Sequence, residues 1–342
     1  MRLKKRVAIN GFGRIGRVLT RIYLENPSRF DFDLVGINTP GDADSVLYLL
    51  KYDSTHGVFK PPVILNGNQL VCGNQSIQLY SERELPKRFW SDQQVDYVLD
   101  CSGLCRDKAS AIKHLDAGAR KVLLASPAKG VDRTVVYGVN HNEMLPDDQV
   151  ISCASCTTNC LAPIAFALNQ MFQIESGFMT TVHAYTNDQA LIDRRHKDYR
   201  RGRAAAESII PTSTGAASSI GEVLPQLAGR LSGNALRIPT GNVSLLDLSV
   251  TLGKPVDASQ VIDCFKQYAE GHLKGIIALN DQPLVSVDFL QHEASAIVDA
   301  TQIYAREAML KMSAWYDNEW GYACRMLDVT QYLQTQVETS HV

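Results

Sequence analysis

The 342-residue chain carries 34 Lys and Arg residues against 36 Asp and Glu residues, which gives a formal net charge of −2. This balance lacks the excess of cations that nucleic acid or a charged membrane surface attracts, so we expect neither as a partner. The sequence has no run of about 18 apolar residues, so we expect no membrane-spanning helix. A hydrophobic content of 45% and a charged content of 20% exclude wholesale disorder. The length favours two domains.

The eight cysteines are too sparse for a disulfide framework. Neither paired histidines nor a second CxxC accompanies them, so we expect no metal site. The basic start, Met1–Arg6, leads into a predicted strand and a glycine turn rather than into the apolar core and cleavage site of a signal peptide. We therefore expect the protein to work in a reducing cytoplasm.

The first half of the chain alternates short apolar runs with amphipathic stretches. Strands are predicted at Arg6–Asn10, Asp33–Asn38, Val95–Cys101 and Lys121–Ala125, with helices at Ile15–Glu25, Ser45–Tyr52 and Ala109–Ala117. This alternation predicts βαβ units and a parallel sheet, here a doubly wound, Rossmann-type α/β domain over residues 1–154. Residues 58–85 depart from it, and their period of two predicts antiparallel ribbons inserted into the domain.

The composition shifts near Ile151, where a second, α+β domain over residues 155–319 is predicted. A long helix comes first, and strands are then predicted at Phe178–His183, Val243–Thr251, Val285–Phe289 and Ala296–Val298. Runs of strands with few helices between them favour an antiparallel sheet with helices on one face. The segment Asp328–Val337 is predicted to be helical, and a C-terminal helix at about residues 320–342 to pack back onto the first domain.

A GxGxxG motif follows the first predicted strand directly, with glycines at Gly11, Gly13 and Gly16. Glycines let the chain turn tightly and bring a pyrophosphate close to the backbone, while the following helix supplies free N–H groups. The strand before the motif, the helix behind it and the second strand at the expected distance together predict a dinucleotide site.

The end of the second predicted strand normally carries an acid that binds the ribose hydroxyls of NAD. Here Asn38, Thr39 and Pro40 follow one another without a carboxylate. Thr39 would not repel the 2′-phosphate of NADP, as Asp or Glu would. Alternatively, Asp42 or Asp44 reaches back, or NAD binds without this contact. The strand end alone leaves these interpretations open.

A polar cluster around Cys156 opens onto an apolar helix. A thiol at a helix N-terminus has its thiolate stabilised by the free N–H groups and the dipole, as a nucleophile requires. His183 closes an apolar strand and can serve as the acid–base partner of that thiol. The alternatives are that Cys156 is a small buried hydrophobic residue and that His183 has a structural role.

Several long and unusual strings run through nearly the whole chain. They are Asn10–Gly16, Leu49–Gly57, Ala154–Pro163, Thr181–Gln189, Arg203–Gly215 and Trp315–Tyr322. These strings resemble the phosphorylating glyceraldehyde-3-phosphate dehydrogenases. The resemblance implies that Cys156 attacks the aldehyde of glyceraldehyde 3-phosphate, that His183 acts as its base, and that inorganic phosphate cleaves the resulting thioester to 1,3-bisphosphoglycerate.

The same resemblance assigns further residues to the substrate and the cofactor. Thr186 and Arg237 match residues that hold the substrate phosphate. Residues matching those that hold the attacking phosphate are Ser155, Thr157, Thr214 and Gly215. The implied cofactor-binding residues are Asn10, Gly11, Gly13, Arg14, Ile15, Gly16, Thr39, Ser102, Arg194, Arg195, Asn318 and Tyr322. The family also implies a cytoplasmic homotetramer with a place in glycolysis or gluconeogenesis.

The chain departs from many NAD-using members at three positions. Thr39 stands where those members have an acid, and Arg194 and Arg195 stand where they have Leu-Pro in a loop that reaches a neighbouring subunit's adenosine pocket. Losing a carboxylate while gaining two guanidinium groups favours a 2′-phosphate, so we expect the enzyme to use NADP, alone or beside NAD. The alternative is that the two arginines only extend a loop that is already basic.

Two other functions stay open at this stage. Erythrose-4-phosphate dehydrogenase shares the fold, the cysteine and the histidine, and the phrase Pro283–Phe289 resembles that branch, although the chain keeps Tyr185-Thr186 after the histidine. A catalytically silent binding protein is the alternative of another class. It is disfavoured because Cys156, His183 and both phosphate-binding sets are intact.

Overall fold

The computed structural model describes residues 4–336, in which the chain divides into two units. The first unit comprises residues up to 135, residues 141–154 and the chain from 323 onward; the second comprises residues 136–140 and 155–322. The predictions for Met1–Leu3 and for residues 337–342 lie outside the described residues. Between residues 4 and 336, none of the helices has both the length and the apolar character needed to cross a membrane.

The first unit contains the expected doubly wound sheet. Its strands are β1 (Lys5–Asn10), β2 (Phe32–Asn38), β3 (Tyr52–Asp53), β4 (Gly57–Val58), β5 (Val63–Asn66), β6 (Gln69–Cys72), β7 (Gln75–Tyr80), β8 (Tyr97–Asp100), β9 (Lys121–Leu124), β10 (Arg133–Thr134) and β11 (Val150–Ser152). The main sheet runs β10-β11-β9-β8-β1-β2-β7-β6-β5, while β3 and β4 form a separate hairpin. Its pairings are parallel from β10 to β7 and antiparallel from β7 to β5. The ribbons predicted at residues 58–85 thus extend the main sheet.

Four helices connect these strands: α1 (Arg14–Glu25), α2 (Ala43–Lys51), α3 (Phe89–Asp92) and α4 (Lys108–Asp116). Helices α1, α2 and α4 lie at nearly the predicted positions, and the short α3 was not predicted. Because β1, β2 and β8 are parallel and in register, Asn10 lies opposite both Asn38 and Asp100. The carboxyl ends of these three strands therefore meet at one edge of the sheet, where doubly wound folds bind ligands.

The second unit is built on a mixed sheet. Its elements are α5 (Cys156–Phe172), β12 (Ile174–Ala184), β13 (Ile210–Ser213), α6 (Ala216–Val223), β14 (Leu231–Ile238), β15 (Ser244–Leu252), α7 (Ala258–Glu270), β16 (Ile277–Asn280), β17 (Ala296–Asp299), β18 (Tyr304–Arg306) and β19 (Met309–Tyr316). The strand order is β13-β14-β12-β15-β19-β17-β16, with β18 beside β19. An antiparallel sheet was predicted, but β12 pairs in parallel with β14, and β16 with β17. Helix α8 (Trp320–Gln336) follows, and most of it belongs to the first unit.

One predicted strand is wrong. The segment Val285–Phe289 contains a 3₁₀ helix at Ser286–Phe289. The carboxylate of Asp288 accepts a hydrogen bond of 2.9 Å from the Val285 amide, and the Asp288 amide donates at 3.0 Å to the Val285 carbonyl. These two local bonds curl the backbone and use groups that a strand would offer to a neighbour.

Candidate active site

Cys156 is the first residue of helix α5, and the chain reaches it through a sharp turn. Ala154 adopts φ of +56°, a left-handed conformation that is uncommon for residues with a Cβ. Ser155 then caps the helix, because its Oγ accepts from the Thr158 amide at 3.0 Å. This local chemistry fixes the start of the helix and sets the Cys156 thiol at its N-terminus, as the sequence predicts.

His183 lies next to Cys156. Its Nε2 is 3.4 Å from the Cys156 Sγ, and the imidazole is almost fully buried. On the opposite side of the ring, Nδ1 lies 2.6 Å from the carbonyl oxygen of Ala184. In the tautomer that carries its proton on Nδ1 and donates it to this carbonyl, the Nε2 lone pair faces sulfur, which is the arrangement a general base needs.

Arg237 lies behind the imidazole because strands β12 and β14 are parallel with His183 and Arg237 in register. Its Nη1 is 2.7 Å from His183 Nδ1 and donates to the Ala184 carbonyl at 3.0 Å. Its Nε is buried without a hydrogen-bond partner among the described residues. A buried guanidinium N–H that is still unsatisfied suits an anionic ligand.

Burial and charge act on both members of the pair. Burial, reinforced by the Arg237 charge, lowers the pKa of His183 to about 3, so the imidazole is neutral at physiological pH. Desolvation raises the pKa of the Cys156 thiol, while the Arg237 charge and hydrogen bonds from Thr157 oppose that rise. The site thus combines a neutral base with a sulfur whose negative form has cationic and N–H partners.

Tyr316 is a site residue that sequence reasoning missed. Its buried hydroxyl bonds the Thr157 Oγ1 at 3.0 Å and the Thr181 Oγ1 at 2.6 Å. Its ring meets the His183 ring edge-on, with the centroids 6.0 Å apart. The Thr157 hydroxyl, predicted to hold the attacking phosphate, is thus directed to Tyr316. Tyr316 does lie inside the quoted string Trp315–Tyr322, the signal that could have singled it out.

The other predicted phosphate-binding residues lie in the second unit at turns and helix starts. Gly215 precedes α6, and a Cβ added there would meet nothing within 4 Å, so the helix N-terminus is open. The Thr214 hydroxyl accepts from the Ala216 amide at 3.2 Å. The Ser155 hydroxyl also bonds the Thr158 Oγ1 at 2.8 Å. Thr186, two residues after the end of β12, is half-buried.

The glycine turn has the shape a dinucleotide requires. Gly11 has φ of +96°, and an added Cβ would lie 2.6 Å from the Ser102 Cα; at Gly16 it would lie 2.2 Å from the Gly11 carbonyl oxygen. At Gly13 an added Cβ would meet nothing within 4 Å, so this glycine faces open space. Gly13 also caps α1 without a side-chain hydrogen bond, which leaves N–H groups at the helix start for an anion. Ile15 lies in this first helical turn.

Arg14, also in that turn, is held by an acid. Its guanidinium makes a two-pronged ion pair with Asp53, whose side chain is 2% exposed. Burial opposes ionisation of Asp53, but hydrogen bonds from Arg14 and from the amides of His56 and Thr55 outweigh it and lower the pKa of the carboxyl. The pair fixes the direction of Arg14 beside the glycine turn.

The residues directly after β2, which are Thr39, Pro40 and Gly41, carry no carboxylate. Thr39 is half-buried, and its amide donates to the Tyr80 carbonyl at 2.9 Å. Asp42 caps α2 instead, because its carboxylate accepts from the Ser45 amide at 2.7 Å and from the Ser45 hydroxyl at 2.8 Å. These bonds occupy one of the two acids that were candidates to reach back. Asp44 is exposed in the first turn of the same helix.

Two further cofactor candidates lie where the second unit ends. Asn318 is buried, and its Oδ1 accepts from the Ser244 hydroxyl at 2.8 Å. Its neighbour Asp317 accepts from the amides of Glu319 and Trp320 at 2.9 and 2.7 Å, which fixes the turn into α8. Tyr322 is buried in the first turn of that helix.

Arg194 and Arg195 lie on an exposed loop beside a cavity of about 510 Å³. His196, Lys197 and Tyr199 complete its lining. Two other arginines of the loop have acidic partners: Arg201 pairs with Asp188 at 2.8 Å and Arg203 with Asp193 at 2.9 Å. Within residues 4–336, no carboxylate lies within 4.0 Å of the side-chain nitrogens of Arg194 or Arg195.

The chain is similar to known proteins along nearly its whole length. Residues 5–108 match the family described as "Glyceraldehyde 3-phosphate dehydrogenase, NAD binding domain", and residues 155–318 match its C-terminal domain. The chain is 48% identical to glyceraldehyde-3-phosphate dehydrogenase 1 of Bacillus subtilis over 96% of its own length and 98% of the relative's. It is 47% identical to the plasmid enzyme of Cupriavidus necator (94% and 96%) and 46% identical to the Ogataea parapolymorpha enzyme (96% and 97%). The chain therefore belongs to the glyceraldehyde-3-phosphate dehydrogenase family of nicotinamide-dependent oxidoreductases.

Proposed function

We propose that the enzyme oxidises glyceraldehyde 3-phosphate with inorganic phosphate to 1,3-bisphosphoglycerate through a thioester on Cys156. The observation that carries this proposal is the 3.4 Å approach of the His183 Nε2 to the Cys156 Sγ, with Arg237 on the far side of the imidazole. A thiol, a neutral base and a cation with an unsatisfied N–H form a site for a phosphorylated aldehyde.

The chemistry begins on sulfur. As Sγ bonds to the aldehyde carbon, its proton passes to His183 Nε2 and then to the former aldehyde oxygen, which gives a thiohemiacetal. An oxidised nicotinamide, when bound, accepts the hydride from that carbon. Nε2 takes the hydroxyl proton as the carbonyl re-forms, and the product on Cys156 is a thioester.

Phosphate then completes the turnover. An oxygen of inorganic phosphate attacks the thioester carbon, the carbon–sulfur bond breaks, and Cys156 leaves as a thiolate that recovers the proton from Nε2. The positive charge of Arg237 beside Nδ1 disfavours the imidazolium and so favours return of that proton. The open N-terminus of α6 at Gly215 is suited to bind one of the two phosphate groups.

The test is the rate of nicotinamide reduction at about 340 nm with purified enzyme and glyceraldehyde 3-phosphate, with and without inorganic phosphate. We expect a rate that requires phosphate and that Cys156→Ala abolishes. Activity with erythrose 4-phosphate and none with glyceraldehyde 3-phosphate would replace the proposed substrate. Absence of turnover with either aldehyde would favour a silent binding protein.

The enzyme uses NADP as well as or in place of NAD. The support is the half-buried Thr39 where an acid would repel a 2′-phosphate, the engagement of Asp42 in capping α2, and the guanidinium groups of Arg194 and Arg195, which have no carboxylate partner among residues 4–336. Guanidinium groups bind phosphate in two-pronged geometry, and a carboxylate beside the ribose would oppose it.

Steady-state kinetics with both cofactors test this preference. We expect Arg194→Ala combined with Arg195→Ala to raise the KM for NADP about tenfold and to change the KM for NAD less than twofold, as the loss of charge-assisted hydrogen bonds implies. Arg200→Ala is the matched control, since it removes a cation from the same loop outside the cavity lining. A wild-type enzyme that used only NAD would refute the cofactor proposal and leave the reaction intact.

The protein assembles as a homotetramer and works in the cytoplasm. Large apolar side chains on the second unit support an assembly, since Phe178 is 72% and Met309 65% exposed in the single chain. The sparse and largely buried thiols suit a reducing compartment. Sedimentation equilibrium tests the assembly, because a mass of one or two chains would contradict a tetramer, and fractionation of the native cell tests the compartment.

A further inference from the structure

A buried chain of hydrogen bonds runs beneath the glycine turn in the first unit. Asn38 Nδ2 donates to Asn10 Oδ1 at 2.8 Å, and Asn10 Nδ2 donates to Asp100 Oδ2 at 2.8 Å. His114 Nε2 lies 3.0 Å from the same Asp100 oxygen, and Trp90 Nε1 donates to His114 Nδ1 at 3.1 Å. All five side chains are less than a tenth exposed, and His114 and Trp90 are fully buried. This polar chain therefore links the interior to the strand ends.

The direction of each bond follows from the indole. An indole N–H can only donate, so His114 Nδ1 accepts and the proton of the neutral imidazole is on Nε2, from which it donates to Asp100. The other Asp100 oxygen accepts from the Ser102 amide at 3.2 Å and from the Ser102 hydroxyl at 2.8 Å. Asp100 thus holds Asn10 and Ser102 in place together, and His114 anchors Asp100.

A cation is a poor alternative explanation for this cluster. Ligand atoms of Asp100, Cys105 and His114 lie within 4.8 Å of one another, as metal ligands would. A metal on His114 Nε2, however, would have to displace the proton there while Trp90 still donates to Nδ1, which leaves an imidazolate. Burial also raises the pKa of Cys105 to about 12, and its thiol lies 3.4 Å from the Ser110 carbonyl, to which it donates. The hydrogen-bond directions favour a positioning role.

The groups held by the polar chain form the walls of the glycine turn. The Gly11 amide donates to the Asn38 carbonyl at 2.8 Å. A Cβ added at Gly11 would lie only 2.6 Å from the Ser102 Cα, so the Ser102 backbone packs directly against this glycine. Gly11 is thus enclosed between two residues whose placement depends on Asp100 and Asn10. A shift of Asp100 by a fraction of an ångström would change the width of this turn.

We propose that His114 is a positioning residue for the dinucleotide, which it sets through Asp100 and without touching the cofactor. The proposal rests on the nicotinamide-binding function, because Asn10, Gly11 and Ser102 are the residues implied to bind it. Burial raises the pKa of Asp100, but hydrogen bonds from His114, Asn10 and Ser102 outweigh it and keep the carboxylate ionised. An ionised acceptor makes these bonds strong and directional.

Two variants of similar size separate positioning from simple packing. Asn in His114→Asn reaches only the Nδ1 position, so it keeps the bond from Trp90 and loses the bond to Asp100. Gln in His114→Gln places its amide nitrogen at the Nε2 position, so it keeps the bond to Asp100 and loses the bond from Trp90. Comparison of the two isolates the link from His114 to Asp100.

The experiment measures equilibrium binding of NADH and NADPH by fluorescence to the full chain, together with kcat, both KM values and the thermal midpoint. We expect His114→Asn to weaken binding of the dinucleotide about tenfold and to leave the KM for glyceraldehyde 3-phosphate within about twofold, with His114→Gln within about threefold of wild type. Equal binding by His114→Asn and wild type, or equal losses in the two variants, would overturn the proposal.

Because dinucleotide binding is measured without turnover, failure of the proposed reaction can be distinguished from failure of the proposed role of His114. Wild type that bound a dinucleotide but did not oxidise the aldehyde would leave the role of His114 testable and overturn only the reaction. Wild type that bound neither dinucleotide would overturn both. If His114→Asn gave no folded protein, Ser110→Ala and Asp100→Asn would replace it: the first should leave binding unchanged, and the second, which halves the acceptors for Asn10, Ser102 and His114, should weaken it.

Discussion

Replacing Tyr316 by Phe removes one oxygen atom from the centre of the active-site cluster and leaves the ring in place. The Thr157 and Thr181 hydroxyls, 4% and 1% exposed, would both lose the partner that now lies 3.0 and 2.6 Å away. A buried polar group without a partner costs about 1–3 kcal/mol, and one hydroxyl can turn to a backbone carbonyl, so we expect a loss of about 2 kcal/mol. For a unit of this size that lowers the thermal midpoint by about 4–8 °C.

Differential scanning calorimetry measures this loss, and an exposed tyrosine provides the control. Tyr304 is 57% exposed, so Tyr304→Phe makes the same chemical change at the surface and should alter stability by less than about 0.5 kcal/mol. Adding Thr181→Val to Tyr316→Phe should cost less than Thr181→Val alone, because the hydroxyl it removes is already unsatisfied. A Tyr316→Phe midpoint equal to that of Tyr304→Phe would refute the reasoning.

The remaining predictions concern the base, the ion pair and the glycine turn. His183→Asn should lower kcat about 10²–10⁴-fold in steady-state assays with little change in thermal midpoint, since it removes the base from Nε2; an unchanged kcat would exclude that role. Asp53, whose folded pKa is lowered, stabilises the protein above its unfolded pKa of about 3.9, so Asp53→Asn should lower the urea midpoint at pH 7, and the difference from wild type should shrink below about pH 4, where Asp53 takes up a proton in the unfolded state but not yet in the folded one. Gly16→Ala should destabilise the fold through a contact of 2.2 Å, whereas Gly13→Ala should keep the thermal midpoint and weaken dinucleotide binding measured by fluorescence; equal midpoints for the two would contradict this.

Features set by neighbouring residues could be predicted from the sequence. The glycine turn and the start of α5 depend on backbone conformation and caps within a few residues, and both occur where the motifs indicated. The wrong strand at Val285–Phe289 is also local: apolar residues alternating with polar ones suggested a strand, while the Asp288 side chain favoured a turn. The apolar residues of this segment alone could not distinguish a strand from a turn.

Contacts between distant segments could not be predicted in the same way. Tyr316 and Thr157 are 159 positions apart, and the bond between them depends on how β19 lies in the sheet. The tie from His114 to Asp100 likewise requires α4 to pack against the strand ends, and no short motif specifies that packing. Such pairs become visible only with the tertiary structure.

The parallel pairing of β12 with β14 is the feature on which the candidate site depends most and which the sequence did not indicate. In a purely antiparallel sheet the carboxyl ends of neighbouring strands lie at opposite edges, so His183 and Arg237 would be a strand length apart. Parallel pairing brings them into register, and β19, antiparallel to β15 as β15 is to β12, ends at that same edge with Tyr316. Three strands thus end together, and their last residues supply the base, the cation and the buried hydroxyl around one cysteine.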